Sequence, residues 1–155
     1  MSTRADGIDT QMGYMLIKLG SAAAALLDRT LLPLGLRGRH VRVLELIHGE
    51  DLSQQDLCQR TGMDRTTMVG VIDELERLGF AYRERDVTDR RKHIVILTEQ
   101  GEAAFGDALI RMAKAQEEFL APLSGQERDQ LRELMTRLYV REEHAVCAPD
   151  ERPAR

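Results

Sequence analysis

The pair of short helical segments around residue 62 constrains the fold of this chain most strongly. One segment begins at Ser53, where Asp56 completes the spacing of a helix-capping box with Asp in place of the usual Glu or Gln. The other segment follows Asp64 and ends before Gly79, a residue type suited to the end of a helix. Because only Thr61-Gly62-Met63 joins them, the two segments are predicted to form a helix-turn-helix.

The periodicity of the sequence changes after this pair of helices. Residues 80–85 and 92–97 have the pattern of β-strands, and His93-Ile94-Val95-Ile96-Leu97 is the clearest strand signal in the chain. A polar, charged turn at residues 86–91 lies between them. Two strands around a charged tip, directly after a helix-turn-helix, predict a wing. The predicted fold class is therefore mainly α with a small β-wing, a winged helix-turn-helix.

Long helices flank this central region. Apolar spacing predicts a first helix from Ile8 to Leu32, ended by Pro33, and a second helix at residues 39–48. Two further helices are predicted at residues 98–121 and 124–144. The apolar stripe of the first helix exceeds what one lobe of this size can bury. The sequence therefore predicts N- and C-terminal dimerisation helices and a homodimer.

The length of the chain, 155 residues, fits one domain over residues 1–155. Within that domain we expect a winged-helix DNA-binding lobe at about residues 36–98. The dimerisation helices are expected at about residues 8–32 and 99–144. Residues 145–155 contain two of the four prolines and are expected to form a mobile tail.

The distribution of charge is more informative than its total. The formal net charge is -4, which by itself argues against binding to phosphates. Residues 83–93 nevertheless carry five basic and three acidic side chains, a local charge of +2. Residues 98–144 carry six basic and ten acidic side chains, a charge of -4. A local positive segment within an acidic chain is expected of a protein that meets phosphates with one face.

The second helix of the helix-turn-helix is predicted to enter the major groove of DNA with its first turn. Arg65 has the geometry for paired hydrogen bonds to guanine, and Gly70 would allow the backbone to approach DNA closely. Arginines at the wing tip suit the negative potential of a narrow minor groove. Arg77 is a phosphate candidate, for which an ion pair with Asp73 is the alternative. The predicted DNA-binding residues are Ser53, Gln54, Arg65, Thr66, Thr67, Gly70, Arg77, Asp89, Arg90 and Arg91.

The sequence lacks the motifs of the common enzyme and metal-site classes. It has no Gly-rich phosphate loop, no nucleophile elbow and no His and Cys spacing for a metal, so we expect no enzymatic activity, cofactor or metal. It also lacks an apolar run of membrane-spanning length and a signal-peptide pattern, so the expected location is the cytoplasm, without a membrane partner. A winged helix used only for protein contacts is an alternative, although such a module needs no arginines at the wing tip.

The stretch from Leu52 to Gly101 reads LSQQDLCQRTGMDRTTMVGVIDELERLGFAYRERDVTDRRKHIVILTEQG. It contains an ordered series of motifs: Leu75-Glu76, Gly79, Arg83, Asp89-Arg90-Arg91 and Leu97-Thr98-Glu99-Gln100-Gly101. Together these motifs resemble the core of the MarR family, the multiple antibiotic resistance regulators. One difference is Val87, where the family often has proline, which predicts a differently shaped wing turn.

The resemblance implies a winged-helix homodimer that binds double-stranded DNA at a pseudo-palindromic operator. It also implies a repressor that is released by a small ligand or by oxidation. An effector would occupy the cleft between the dimer helices and the DNA-binding lobe, where Tyr14, Lys18 and His40 are candidate contacts. Tyr14 and His40 also suit simple helix packing.

The positions of the two cysteines bear on whether a small ligand or oxidation releases the repressor that the resemblance implies. The oxidation-sensing branch of the family carries its reactive cysteine early in the first helix, where this chain has none. Cys58 suits a small core residue, and Cys147 lies in the predicted tail. We therefore expect a small aromatic or anionic effector, with a thiol-based redox-sensing regulator as the alternative.

Overall fold

The computed structural model describes residues 11–86 and 93–146 and, for residues 140–146, the backbone alone. The chain divides into two compact units, one ending at Gln116 and the other beginning at Glu117. The helices are α1 (Met12–Leu31), α2 (Gly38–Gly49), α3 (Gln54–Thr61), α4 (Arg65–Arg77), α5 (Glu99–Phe119) and α6 (Gly125–Val146), and the strands are β1 (Leu52–Ser53), β2 (Ala81–Arg85) and β3 (His93–Leu97). The predicted fold class, mainly α with a small β-wing in a winged helix-turn-helix, is confirmed.

Side-chain caps determine where the two helices of the helix-turn-helix begin. At α3, Ser53 Oγ accepts the backbone N–H of Asp56 at 3.2 Å, and Asp56 Oδ2 accepts the backbone N–H of Ser53 at 3.0 Å. Gly62 ends α3 in the left-handed conformation, with φ of 71°. At α4, the Asp64 carboxylate accepts the backbone N–H of Thr67 at 2.9 Å. The capping box and the turn predicted from the sequence are therefore confirmed.

The sheet has three antiparallel strands in the order β1-β3-β2. Arg83 of β2 and Leu52 of β1 both pair with Val95, so β3 lies in the middle. The two long strands follow the prediction closely. Strand β1 was not predicted, because its two residues are too few to show an alternating pattern and precede a helix cap directly.

Helix α1 extends over Met12–Leu31, and the predicted residues 8–10 lie outside the described range. A single 3₁₀ turn, Leu32–Leu34, follows it, and Gly35 with φ of 69° completes the stop. Leu27 and Leu31 of α1 pack on the core of this unit. By contrast, large apolar residues nearer its start are exposed in the single chain: Met12, Met15, Leu16, Ile17 and Leu19.

The core of the first unit lies between α2, α3, α4, the sheet and one face of α5. Its completely enclosed apolar residues contribute about 1.5–3 kcal/mol each through removal of their surface from water. They include Leu31, Leu36, Val43, Leu44, Leu57, Met68, Val71, Ile72, Leu75, Val95 and Ala108. Helix α4 supplies four of these side chains, so one face of α4 is buried in the core.

The start of α5 packs directly against the end of α4 and the start of β2. Thr98 Oγ1 donates to the carbonyl of Gly79 at 2.7 Å and accepts the backbone N–H of Gly101 at 2.9 Å. The backbone N–H of Thr98 donates to the carbonyl of Phe80 at 3.1 Å. A Cβ atom placed on Gly101 would lie 1.9 Å from that same carbonyl oxygen, so only glycine fits there.

The second unit contains α6, which begins with a capping box of its own. Ser124 Oγ accepts the backbone N–H of Glu127 at 3.4 Å, and Glu127 Oε2 accepts the backbone N–H of Ser124 at 2.8 Å. Apolar side chains remain exposed on this helix: Leu134, Met135, Leu138 and Tyr139.

Among the described residues, no helix is both long enough and apolar enough to cross a membrane.

Replacement of Gly101 by alanine is expected to destabilise the protein by about 1–3 kcal/mol or more, because the new methyl group forces α5 away from the Phe80 carbonyl. Gly106→Ala in the same helix is the matched control, since a Cβ there meets no atom within 4 Å. That variant should gain up to about 1 kcal/mol from helix propensity. Urea unfolding measures both effects, and equal midpoints for the two variants would contradict the tight approach at Gly101.

Candidate nucleic-acid interface

The first turn of α4 presents side chains that are free of the core. Arg65 and Thr66 are exposed, whereas Thr67 is half-buried. The hydroxyl of Thr67 donates to Asp64 Oδ2 at 2.7 Å, and the hydrogen bonds from Thr67 lower the pKa of Asp64. Asp64 therefore stays ionised and holds the turn in place. Arg65 and Thr66 are left available to an external partner.

Gly70 lies in the middle of α4 on an exposed face, and a Cβ there would meet no atom of the described residues within 4 Å. Packing against the described residues therefore does not require glycine at this position. A glycine inside a helix costs roughly 1 kcal/mol relative to alanine. The position suits close approach of an external surface, as predicted from the sequence, and its contact with DNA stays a prediction.

The predicted phosphate contacts occupy different environments. Ser53 is 9 % exposed and its hydroxyl donates to Asp56 Oδ2 at 2.5 Å, so its main role within the chain is to cap α3. Gln54 is half-buried in the first turn of the same helix. Arg77 is exposed, and the alternative of an ion pair with Asp73 is wrong, because Asp73 pairs with an arginine of β2.

The wing-tip residues of the prediction, Asp89, Arg90 and Arg91, lie outside the described residues. The base of the wing is described, and there Arg85 pairs with His93 across the two strands. Both of these residues are exposed.

Three carboxylates occupy the second half of α4, and cations from other elements hold each of them. Arg83 of β2 donates to Asp73 at 2.7 Å and also to Glu76. Arg39 of α2 lies 3.4 Å from Glu74. Glu76 and Arg83 belong to the ordered series of motifs in the sequence, but no role was predicted for either residue. Their co-occurrence in that series was the only signal available for the pair.

His40 is buried and connects the start of α2 to α4. Its Nδ1 accepts the backbone N–H of Arg37 at 3.0 Å, so the neutral ring carries its proton on Nε2. That Nε2 lies 2.6 Å from Glu74 Oε2, a short contact that is poorly aligned for a hydrogen bond. Burial lowers the pKa of His40, and the opposing attraction of Glu74 does not restore it.

The same cluster also lowers the pKa of Glu74, and for an acid a lower pKa favours the charged form. Loss of hydration alone would raise the pKa of this carboxyl group, but the neighbouring His40 and Arg39 outweigh that effect and lower it. The cluster therefore keeps Glu74 ionised.

The predicted effector contacts also occupy distinct positions. Tyr14 is half-buried, and the Lys18 ammonium lies 5.6 Å from the centroid of the Tyr14 ring, one turn along α1. His40 is 1 % exposed and contacts Arg37 and Glu74. The structure thus gives His40 a role in joining two helices, and the effector role of all three residues stays a prediction.

Comparison with known proteins places this geometry in a family. A sequence profile described as the MarR family matches residues 34–92, which include the helix-turn-helix and most of the wing. A probable transcriptional regulator from Pseudomonas aeruginosa is 31% identical, with a TM-score of 0.74 over 84% of this chain and 98% of that chain. The chain belongs to the MarR family of transcriptional regulators.

Two further solved structures share the same fold over most of their length. A MarR family regulator from Rhodococcus sp. RHA1 is 26% identical, with a TM-score of 0.74 over 86% of this chain and 96% of that chain. CouR from Rhodococcus jostii RHA1, bound to p-coumaroyl-CoA, is 27% identical, with a TM-score of 0.69 over 84% of this chain and 92% of that chain. DNA binding and homodimer formation are typical of the MarR family.

The lowered pKa of His40 predicts a loss of stability in mild acid. The folded state resists protonation of His40, whereas the unfolded chain binds a proton near pH 6.5. The unfolded state therefore gains protons first, and the free energy of unfolding falls as the pH drops below about 6.5. Replacement of His40 by glutamine should flatten the pH dependence of the free energy of unfolding between about pH 7.5 and pH 5.5, the range in which histidine side chains ordinarily titrate.

Urea titrations at fixed protein concentration measure the effect. His48→Gln is the control, because His48 lies on the same helix with an exposed side chain. It should retain the dependence of the wild type. A His40→Gln variant that loses as much stability in acid as the wild type would contradict the assignment.

Proposed function

We propose that this MarR-family chain is a sequence-specific repressor that binds a pseudo-palindromic operator as a homodimer and is released by a small organic effector. One observation carries the DNA-binding part of the proposal. The first turn of α4 exposes Arg65 and Thr66 while the opposite face of the same helix is buried in the core. An exposed arginine at the start of such a helix is suited to guanine in the major groove.

The proposed homodimer is supported by apolar surface on the long helices. In the single chain, α1 exposes Leu16, Ile17 and Leu19, and α6 exposes Leu134 and Leu138. Removal of such surface from water favours association by roughly 25 cal/mol per Å². We propose that α1, α5 and α6 form the interface, which gives one DNA-binding lobe for each half-site.

The proposed effector is a small aromatic or anionic molecule. CouR binds p-coumaroyl-CoA, which combines an aromatic acyl group with anionic phosphates. In this chain, the Tyr14 ring and the Lys18 ammonium lie together on α1 and offer matching chemistry. Release of a bound duplex by p-coumarate or its CoA thioester, and weaker release from a Lys18→Ala variant, would support this assignment. No release of DNA by either compound would contradict it.

DNA selection tests the function directly. From a pool of random duplexes, the protein should enrich one sequence with two inverted half-sites whose centres lie about one helical turn, 10–10.5 base pairs, apart. Sedimentation of the complex should show two chains of 17.5 kDa for each duplex. Failure to enrich any sequence would contradict specific binding. One chain for each duplex would contradict the dimer.

Arg65→Ala should weaken binding to the selected duplex by about 1–3 kcal/mol and relax the preference at one base pair of each half-site. Arg91→Ala, at the predicted wing tip, should lower affinity and flatten the salt dependence with a smaller change in base preference. Arg42→Ala is the control, since Arg42 lies on α2, outside the proposed dimer interface, and pairs with Glu45 at 2.6 Å. Wild-type affinity in both test variants would show that the α4 and wing assignments are wrong.

A further inference from the structure

The second half of α4 poses an electrostatic problem for a helix that binds DNA. Asp73 and Glu76 lie one turn apart on α4, and free carboxylates there would repel nearby phosphates. Both carboxylates are bound by one guanidinium, that of Arg83 on β2. The side chain of Arg83 is only 25% exposed, and its two terminal nitrogens each donate to a different carboxylate.

A backbone contact strengthens this connection between helix and strand. The backbone N–H of Arg83 donates to Glu76 Oε1 at 2.8 Å. Strand β2 lies at the edge of the sheet and pairs only with β3 among the described strands, so this N–H points away from its partner strand. Glu76 therefore holds both the side chain and the main chain of Arg83.

We propose that Arg83 is a positioning residue for DNA binding: it neutralises Asp73 and Glu76 and fixes the wing strand to α4, without contacting DNA itself. The proposal rests on the proposed DNA-binding function. Its geometric basis is that each terminal nitrogen of Arg83 is already bound to a carboxylate of α4. The position of strand β2 relative to α4 then depends in part on this side chain.

A comparison of Arg83→Gln in two backgrounds tests the proposal. In the wild-type background, the substitution leaves two unpaired carboxylates and a loosened strand, so affinity for the selected duplex should fall on the order of tenfold. In an Asp73→Asn, Glu76→Gln background, the same substitution should change affinity by less than about threefold, because the groups through which Arg83 acts are gone. Circular dichroism at the assay temperature confirms that each variant is folded.

Direct contact between Arg83 and a phosphate would give a different pattern. Arg83→Gln would then lose the same factor in both backgrounds, and the slope of log affinity against log salt would fall by about 0.9. Either result would overturn the proposal. Arg42→Gln is the control for net charge, because it breaks an ion pair within α2, a helix outside the proposed dimer interface. An equal loss of affinity in that variant would also overturn it.

Hydrogen exchange in the free protein separates this proposal from the proposed function. Arg83→Gln should accelerate exchange of the β2 amides, while the amides of α3 keep their wild-type protection. A wild-type chain that binds no duplex would refute the proposed function. Unchanged exchange in β2 would refute the attachment of the strand to α4, whatever the DNA assays show.

Discussion

The close approach of Gly101 to the Phe80 carbonyl is the contact on which the arrangement of the first unit depends. Helix α4 ends at this point, β2 begins, and the first turn of α5 lies against both. Thr98 completes the contact, because it satisfies the Gly79 carbonyl at the end of α4 and caps α5 at the same time. Three elements therefore share one set of hydrogen bonds, and a displacement of α5 at this end acts directly on α4 and the wing.

The first turn and the second half of α4 present different surfaces. Its first turn leaves Arg65 and Thr66 exposed, whereas its second half carries three carboxylates that are paired with α2 and β2. The ion pairs of the second half attach α4 to its neighbours and neutralise negative charge. The exposed side chains of the first turn remain accessible to a binding partner. A net charge of -4 for the chain is therefore compatible with an interface for a polyanion.

The sequence predicted the features that depend on local spacing and missed those that depend on distant contacts. Caps at Ser53 and Asp64 act within three residues, so they could be recognised and are confirmed. The Arg39–Glu74 pair joins residues 35 apart, and no periodicity reveals such a partner. For the same reason the sequence could not show that Arg37 and Glu74 are neighbours of His40 in the fold. The wing strands were predictable from their alternation, while Asp89, Arg90 and Arg91 lie outside the described residues.

The hydrogen bond from the Arg83 backbone to Glu76 also affects how copies of this protein avoid one another. An edge strand with open N–H groups is a template for pairing with a strand of another molecule, which leads to aggregation. On β2, Glu76 occupies such a group, and the opposite edge of the sheet, β1, is only two residues long. Neither edge offers a continuous ladder, so intermolecular β-pairing is disfavoured even at high protein concentration.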